Sequence, residues 1–349
     1  MSCSTCDTIP PIEDKGTIWL ITPPLLSLPQ LNTLFNQNHV VAETSDRSKL
    51  PLNYESREQL IGYLELLVEH LHPEVQREIH IEIVNEREDT HPLSRFSLES
   101  FAARVKHHDL VRIISDNLFE SHMQPIVDTH SMQIVAYEFL LRPAEGRVTF
   151  QPNQLFEIAK QSGLHSFLDR SARISAIKAS ALYLKQGIKR FINFLPSSIY
   201  NPNYCLSHTF QAIDHFNQDP RDFVFEVVET EKISNVVHLK NIFKVYKEHG
   251  IQVALDDVGA GYSTLELLAE LKPDYVKIDR DLVSYCDQNN EKKQKITDII
   301  TCAHSFGATV LAEGIERKEE LEFCKSKQVG LGQGYLFGKP AASPLPELT

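Results

Sequence analysis

Beyond residue 130, seven apolar, strand-like runs each stop at a polar or charged side chain. Most of these side chains are carboxylates, which repel one another when brought together unless cations neutralise them. If the strand ends meet at one rim, the pattern predicts an enzyme with a divalent-metal site built from oxygen ligands. The residues are Glu138, Asn193, Glu226, Asp256 with the adjacent Asp257, Lys277, Glu313 and Gln333.

The spacing of these residues predicts how the strands are connected. Successive members are separated by as few as 20 residues, from Glu313 to Gln333, and by as many as 55, from Glu138 to Asn193. Segments with helical apolar spacing, such as SNVVHLKNIFKVYKEHG, fill these intervals. Strands that alternate with helices form parallel sheets, and in a barrel of such repeats the active site lies at the carboxyl ends of the strands.

The first two strands of the predicted barrel have a different arrangement. Too few residues separate MQPIV from IVAYE for the crossover that a parallel pair requires, so these strands should form an antiparallel hairpin. The predicted fold is α/β, a TIM-like (β/α)8 barrel with an antiparallel first strand. Phe243 and Tyr246, at helical core spacing, are interpreted as packing residues of this barrel.

Residues 1–95 lack the polar-ended strands and are interpreted as a small α/β N-terminal module, whose role the sequence does not identify. Strands are predicted at GTIWLIT, HVVAE and EIHIEIV, and SREQLIGYLELLVEHL has the apolar spacing of a helix. The polar stretch NEREDTHPLSR is the predicted linker to the barrel domain, residues 96–349. Ser97 or Ser100 should cap a helix that continues to about Phe119.

Charge and composition exclude several classes of protein. The formal net charge of −12 argues against a general basic surface for DNA or RNA. No apolar run is long enough to span a bilayer, and the N-terminus lacks the pattern of a signal peptide. Cys3 and Cys6 form a lone C-x-x-C without a second pair at metal-site spacing, so free thiols are the preferred interpretation. These features predict a cytoplasmic protein in a reducing compartment.

Seven segments, taken together and in order, resemble one protein family. They lie between about residues 106 and 342 and are YEFLLRP, INFLPSS, FEVVETE, ALDDVGAGYSTL, PDYVKIDR, LAEGIE and GQGYLFGKP. The family is that of the EAL-domain cyclic-di-GMP phosphodiesterases. The resemblance implies that the chain hydrolyses cyclic-di-GMP to linear 5′-pGpG, lowers the level of this second messenger in bacterial signalling, and forms a homodimer.

The resemblance also implies two divalent cations, Mg²⁺ or Mn²⁺, held by oxygen ligands. Ca²⁺ is larger and favours looser coordination, so it should inhibit. Lys277 matches the lysine that orients or helps to deprotonate the attacking water, and Glu313 matches a glutamate assigned as ligand and also as general base. With Glu138, these residues should be essential for turnover. One ion would take Glu138, Asn193, Glu226 and Asp256, and the other Asp256, Asp257 and Glu313.

Further positions match substrate contacts of the family. They are Gln124 in MQPIV, Arg142 in FLLRP and Gln333 in GQGY, and Asn193 is placed among the substrate-binding residues as well as the metal ligands. The guanidinium of Arg142 can bind phosphate in a bidentate manner, which compensates locally for the acidic net charge.

The segment DDVGAGYSTL matches a loop that, in the family, couples dimerisation to the metal site. Gly259 and Gly261 suit a tight, mobile turn near a ligand. Glu229, three residues after Glu226, matches the glutamate that anchors this loop.

The sequence departs from the family pattern at Phe139, Val228, Val258 and Ala260. Phe139 lies in the name-giving tripeptide, and it should point away from the metals because neighbouring strand residues face opposite sides. The other three substitutions remove hydrogen bonds of the loop and leave the predicted metal ligands unchanged.

Two other functions remain open at this level. One is a catalytically weak receptor that binds cyclic-di-GMP and signals through the N-terminal module. The complete ligand set argues against this function, because receptors of this type commonly lose ligands. The other is an unrelated metal-dependent barrel hydrolase or lyase that acts on a different anion.

Overall fold

The structure is a computed structural model of the chain. It describes residues 12–22, 31, 35, 49–83, 95–146, 148–227, 235–260 and 264–345. Its contacts divide the chain into two compact units, residues 1–118 with 147–168 and residues 119–146 with 169–349. This division concerns compactness, and the functional boundary predicted near residue 95 stays a prediction. Among the described residues, no helix has both the length and the apolar character that a bilayer crossing requires.

The first unit contains a four-stranded antiparallel sheet. Its strands are β1 (Gly16–Ile21), β2 (Lys49–Tyr54), β3 (His80–Ile83) and β4 (Arg95–Ser97), in the spatial order β2-β1-β3-β4. The strands predicted at GTIWLIT and EIHIEIV are confirmed as β1 and β3. The predicted strand HVVAE, most of the predicted linker, and Cys3 with Cys6 lie outside the described residues.

Two helices of this unit begin at serine caps. Helix α1 (Arg57–His70) begins where the Ser56 side chain accepts a hydrogen bond from Gln59 N, and it buries its apolar stripe. After α2 (Pro73–Glu78), Ser97 caps α3 (Leu98–Lys106) by accepting from Ser100 N at 3.2 Å. Of the two predicted caps, Ser97 is therefore the right one.

The predicted extension of this helix to about Phe119 is wrong. His107 leaves helical geometry, with φ −107° and ψ 35°, and separates α3 from α4 (His108–Ser115). Phe119 instead begins the first barrel strand, because it pairs with Pro143 in an antiparallel ladder.

The second unit is a closed eight-stranded barrel. The first strand is antiparallel to both of its neighbours, the second and the last, and the other adjacent pairs are parallel. The predicted barrel with an antiparallel first strand is thus confirmed. The strands are β5 (Phe119–Asp128), β6 (Ile134–Pro143), β7 (Lys189–Phe194), β8 (Phe223–Val227), β9 (Gln252–Val258), β10 (Tyr275–Ile278), β11 (Thr309–Ala312) and β12 (Leu331–Gln333).

Helices occupy the intervals between the barrel strands. They are α5 (Pro152–Gln161), α6 (His165–Tyr183), α7 (Pro202–Cys205), α8 (Ser207–His215), α9 (Val236–Glu248), α10 (Leu265–Leu271), α11 (Arg280–Val283), α12 (Asn290–Ser305) and α13 (Lys318–Ser326). The outward faces of the strands and several of these helices form one large apolar core. Phe139 and Val258 both belong to this core, which confirms that Phe139 points away from the barrel interior.

Candidate active site

The barrel interior contains an apolar layer to which every strand contributes one side chain. This layer supports the polar residues above it, because side chains two positions apart on a strand share a face. From β5 to β12 the layer consists of Ile126, Ala136, Phe191, Val224, Ala254, Tyr275, Leu311 and the half-buried Leu331.

A polar ring follows the apolar layer at a constant offset. On each parallel strand the polar residue stands two positions later in the sequence, and on the antiparallel β5 it stands two positions earlier. The ring gathers most of the predicted site residues in one place. They are Gln124, Glu138, Asn193, Glu226, Asp256, Lys277, Glu313 and Gln333.

Lys277 lies among four carboxylates of this ring. Its Nζ atom is 2.8 Å from Glu313 Oε1, 2.9 Å from Glu226 Oε2 and 3.0 Å from Asp256 Oδ1. Glu138 Oε1 is farther away, at 3.8 Å. One buried ammonium does not balance four carboxylates, so the site as a whole favours additional positive charge.

Burial and these neighbours shift the ionisation of the ring. Burial raises the pKa of Glu226 well above its ordinary value, and the Glu138 and Asp256 carboxylates add to the effect. Burial, reinforced by Asp256, likewise raises the pKa of Glu313. For Lys277 burial acts downward, but the surrounding carboxylates outweigh it and raise the pKa.

Glu138 is the exception among these acids. Burial alone would raise its pKa, yet Lys277 and the hydrogen bonds that Glu138 accepts lower it. Gln333 Nε2 donates to Glu138 Oε2 at 2.6 Å, and Asn193 Nδ2 donates to Oε1 at 3.1 Å. These contacts favour the ionised form of Glu138 and fix the orientation of its carboxylate.

A second group of acids forms because the backbone turns at Asp257. Adjacent strand residues normally face opposite sides, but Asp257 adopts a left-handed conformation with φ 52°, and Asp257 N donates to Asp256 Oδ1 at 2.9 Å. The ladder between β9 and β10 shifts its register at the same level. One oxygen each of Asp256, Asp257 and Glu313 lie within 4.8 Å of one another, which is close enough to share a cation.

The donor atoms of the ring fit hard divalent cations. They are carboxylate and amide oxygens, which Mg²⁺ and Mn²⁺ prefer. Among the described residues, both carboxylate oxygens of Glu226 and the amide oxygen of Gln333 are buried without a well-directed hydrogen bond. Lys277 Nζ lies at ion-pair distance from Glu226, but within the same described part of the chain it too lacks a well-directed hydrogen bond. Buried polar atoms are normally satisfied, so these orphaned atoms indicate a site for charged partners.

A chain of amides joins the ring to the C-terminal segment. Besides Glu138, Gln333 Nε2 also contacts Gln124 Oε1 at 3.1 Å, and Gln124 Nε2 donates to Gly338 O at 3.2 Å. Gly334 allows this packing, because a Cβ atom there would lie 2.1 Å from the backbone oxygen of Ile315. Gln124 and Gln333 thus lie beside Glu138, with donors and acceptors that a bound ligand could use.

Some of the predicted residues lie elsewhere or outside the described residues. Arg142 is four positions beyond Glu138 on β6, and its Nη1 donates to Leu141 O at 2.8 Å. The loop anchor Glu229, with Val228 and Gly261, lies outside the described residues, so its predicted role is untested. Ala260 is described, and its N–H donates to Asp257 O at 3.2 Å.

The family model of the EAL domain matches residues 107–340, which is most of the 349-residue chain. The chain belongs to the EAL domain family. The segments that carry the resemblance in the sequence are the same strand ends that form the polar ring.

Individual relatives share this domain. The probable cyclic di-GMP phosphodiesterase PdeG of Escherichia coli (strain K12) is 30% identical over 242 residues, which is 66% of this chain and 46% of PdeG. The blue light- and temperature-regulated antirepressor BluF of the same organism is 30% identical over 226 residues, 64% of this chain and 55% of BluF. The chain therefore spans about half the length of these curated relatives.

A solved structure shows the same EAL fold. The standalone versatile EAL protein from Vibrio cholerae O395, in its c-di-GMP-bound form, superposes with a TM-score of 0.60 at 31% sequence identity. The match covers 66% of this chain and 95% of the Vibrio protein.

Proposed function

We propose that this EAL protein hydrolyses cyclic-di-GMP to linear 5′-pGpG with two divalent cations, Mg²⁺ or Mn²⁺. The observation that carries the proposal is the polar ring, in which oxygen donors come from seven strands and four of the carboxylates surround one buried lysine. The relatives support the choice of substrate, since PdeG is named a probable cyclic di-GMP phosphodiesterase and the Vibrio protein was solved with c-di-GMP bound.

The six proposed metal ligands divide into two groups that share Asp256. When bound, the two cations would activate the attacking water and offset the charge that develops on the phosphodiester. Of the two groups, Asp256, Asp257 and Glu313 are brought within sharing distance in the structure. The other group is Glu138, Asn193, Glu226 and Asp256.

Lys277 and Glu313 are the residues proposed to handle the attacking water. An ammonium can donate hydrogen bonds but cannot accept them, so a protonated Lys277 would orient the oxygen of a water. Glu313 Oε1 lies 2.8 Å from Lys277 Nζ, so the Glu313 carboxylate would lie beside a water oriented by Lys277 and would act on it as ligand or proton acceptor. Hydrolysis breaks one P–O bond, adds the water oxygen to phosphorus and leaves a 3′-hydroxyl on the linear dinucleotide.

The substrate contacts follow from the amide chain. Gln333 Oε1 is buried with no hydrogen-bond partner in the part of the chain that the structure describes, and it would accept a hydrogen bond from the substrate. Gln124 contacts the amide of Gln333, and Asn193 donates to the same Glu138 carboxylate as Gln333. Arg142 would bind phosphate once it releases the backbone carbonyl of Leu141. The proposal also retains the homodimer and the cytoplasmic location expected from the sequence.

BluF favours a second candidate function. This relative, 30% identical to the chain, is named an antirepressor rather than a phosphodiesterase. An EAL protein of that kind would bind cyclic-di-GMP or a partner and signal without turnover.

Binding and turnover measured on the same samples separate the two functions. The purified chain and its Glu313→Ala variant are each mixed with cyclic-di-GMP and Mn²⁺, and for both proteins binding is measured by calorimetry and product by chromatography. The phosphodiesterase proposal expects pGpG from the wild type and binding without product from Glu313→Ala. Binding without product from the wild type would instead support the receptor function.

A further inference from the structure

A buried ion pair and a tyrosine lie on the outside of β7 and β8. Arg173 Nη2 is 3.2 Å from Asp169 Oδ2, one helical turn earlier on α6, and Arg173 Nη1 donates to Tyr246 Oη of α9 at 3.4 Å. The exposed fractions are 3% for Asp169, 2% for Arg173 and 0% for Tyr246. A buried ion pair is weak evidence for added stability, because desolvation offsets its attraction, so another role has to be considered.

Asp169 also fixes the chain where it leaves β7. Leu195 N donates to Asp169 Oδ1 at 2.8 Å, and Ser198 Oγ donates to Oδ2 at 2.5 Å. Leu195 is two residues beyond Asn193, the ring residue of β7. The carboxylate of Asp169 therefore sets the position of the strand end that presents Asn193.

Tyr246 contacts the same strand and its neighbour from outside. Its ring stacks on Phe225 at 4.6 Å between centroids and 8° between planes, and meets Phe194 edge-on at 5.5 Å and 62°. Phe225 immediately precedes Glu226, and Phe194 immediately follows Asn193. Strand side chains alternate between the two faces of a sheet. The outward-facing side chains of Phe225 and Phe194 therefore control the positions of their inward-facing neighbours, Glu226 and Asn193.

The pairing of β7 with β8 links the two strand ends to each other and to Glu138. Asn193 and Glu226 are register partners in the ladder between β7 and β8, and Asn193 Nδ2 donates to Glu138 Oε1 at 3.1 Å. A displacement of either strand end by a few tenths of an ångström would thus change three of the oxygen donors together.

We propose that Asp169, Arg173, Ser198 and Tyr246 are positioning residues. They hold Asn193 and Glu226 in place for the divalent cation that these two residues would bind together with Glu138 and Asp256. The inference rests on the proposed function in so far as it assigns a cation to these donors. Groups that orient metal ligands change metal affinity by about 10- to 100-fold when they are removed, even though they do not touch the metal.

The chain offers a matched control on the same two strands. Arg190 and Asp222 form another buried ion pair, with Nη1 and Oδ2 3.0 Å apart. Arg190 pairs with Phe223 where β8 begins, so this ion pair lies at the opposite ends of the strands from the polar ring. Breaking it tests the loss of a buried ion pair without disturbing the ends that carry Asn193 and Glu226.

The experiment measures Mn²⁺ binding by electron paramagnetic resonance, and the melting temperature, in full-length variants. Ser198→Ala and Tyr246→Phe each remove one hydroxyl and retain the packing, and Asp169→Asn removes the charge. We expect Ser198→Ala and Tyr246→Phe to raise the dissociation constant of one Mn²⁺ about tenfold, and Asp169→Asn to raise it more. Asp222→Asn should lower the melting temperature while its Mn²⁺ affinity stays within about twofold of the wild type.

Two results would overturn the inference: wild-type Mn²⁺ affinity in both hydroxyl variants, or an Asp222→Asn variant that weakens Mn²⁺ as much as Asp169→Asn. A parallel turnover assay separates this inference from the proposed function. If the wild type binds Mn²⁺ but forms no pGpG, the proposed function fails, while a weakened Mn²⁺ site in the hydroxyl variants still supports the positioning role.

Discussion

Lys277 and Glu226 face each other inside the barrel with no exposed side-chain surface, and Lys277 Nζ lies 2.9 Å from Glu226 Oε2. Each of these charged side chains would be costly to bury alone. Here each is surrounded by other members of the polar ring. Lys277 serves as the resident cation of an acidic site, and it is therefore the residue whose loss should couple stability to metal most strongly.

Replacing this cation should make the fold depend on divalent metal. Lys277→Met retains much of the side-chain volume but leaves the carboxylates unpaired, so we expect a loss of about 3–5 kcal/mol in chelator. Mn²⁺ should restore much of this stability, although turnover should stay abolished. Urea unfolding with EDTA and with Mn²⁺ measures both effects.

Lys49→Met provides the comparison for Lys277→Met. Lys49 pairs with Glu82 at 2.8 Å but keeps 38% of its side chain exposed, so its loss should cost less than about 1 kcal/mol, with no effect of Mn²⁺. Equal, metal-independent losses in the two variants would contradict the assigned role of Lys277.

The raised pKa values of Glu226 and Glu313 predict how stability depends on pH in chelator. A carboxyl group whose pKa is higher in the folded than in the unfolded state stabilises the fold below its unfolded pKa, and this contribution is lost as the pH rises through the folded pKa. We therefore expect the chelated protein to become more stable as the pH falls from neutral toward the ordinary carboxyl pKa of 4.5. Glu138, whose pKa is lowered, makes the opposite contribution to stability. Its stabilisation of the fold is lost only as the pH falls below its ordinary pKa of 4.5.

Metal should remove this pH dependence, because cation binding requires deprotonated carboxylates and so releases protons. Calorimetric titration with Mn²⁺ in buffers of different ionisation enthalpy counts those protons. Glu226→Gln should release fewer of them. An unchanged count in that variant, or a chelated protein whose stability is flat across this pH range, would show that the acids are not protonated as the pKa shifts indicate.

Two substitutions at Asp257, whose backbone is left-handed, distinguish the loss of a metal ligand from the relief of backbone strain. Asp257→Gly removes the carboxylate and relieves the conformation at φ 52°, whereas Asp257→Ala removes the carboxylate and keeps the strain. We expect both variants to lose turnover, and the alanine variant to be less stable by about 1–2 kcal/mol. Thermal unfolding and product assays on the pair give both quantities. Turnover that survives in the glycine variant would exclude Asp257 as a required ligand.

Substitution of Gly334 tests whether the packing beside Gln333 matters for substrate binding. In Gly334→Ala the new methyl group would lie 2.1 Å from Ile315 O, so the backbone must move and carry Gln333 with it. We expect KM for cyclic-di-GMP to rise at least tenfold, because Gln333 is a proposed substrate contact. Gly330→Ala is the control, since its methyl group would make an ordinary 3.6 Å contact with Thr309. Equal KM values in the two variants would remove Gln333 from the substrate site.

The barrel and most of its polar ring could be predicted from the sequence because a local rule generates them. Each strand supplies an apolar interior residue and, two positions away, a polar one, so the strand ends alone reveal Glu138, Asn193 and Glu226. Chain length between MQPIV and IVAYE was enough to predict the antiparallel first strand.

Features that depend on backbone irregularity or on distant contacts could not be predicted in this way. The break at His107 and the left-handed Asp257 are single-residue departures from regular geometry, which apolar periodicity does not register. Asp169 and Arg173 resemble an ordinary helical ion pair in the sequence. The hydrogen bond from Arg173 to Tyr246 exists only once α6 and α9 are packed on the same strands.

The most direct test of the account is a time course of cyclic-di-GMP with the purified full-length chain, resolved by chromatography in Mn²⁺, in Ca²⁺ and in excess chelator. We expect linear pGpG in Mn²⁺, little or none in Ca²⁺ or chelator, and none from a folded Glu138→Ala variant in Mn²⁺. Full activity in excess chelator, or near-normal turnover by Glu138→Ala, would contradict it.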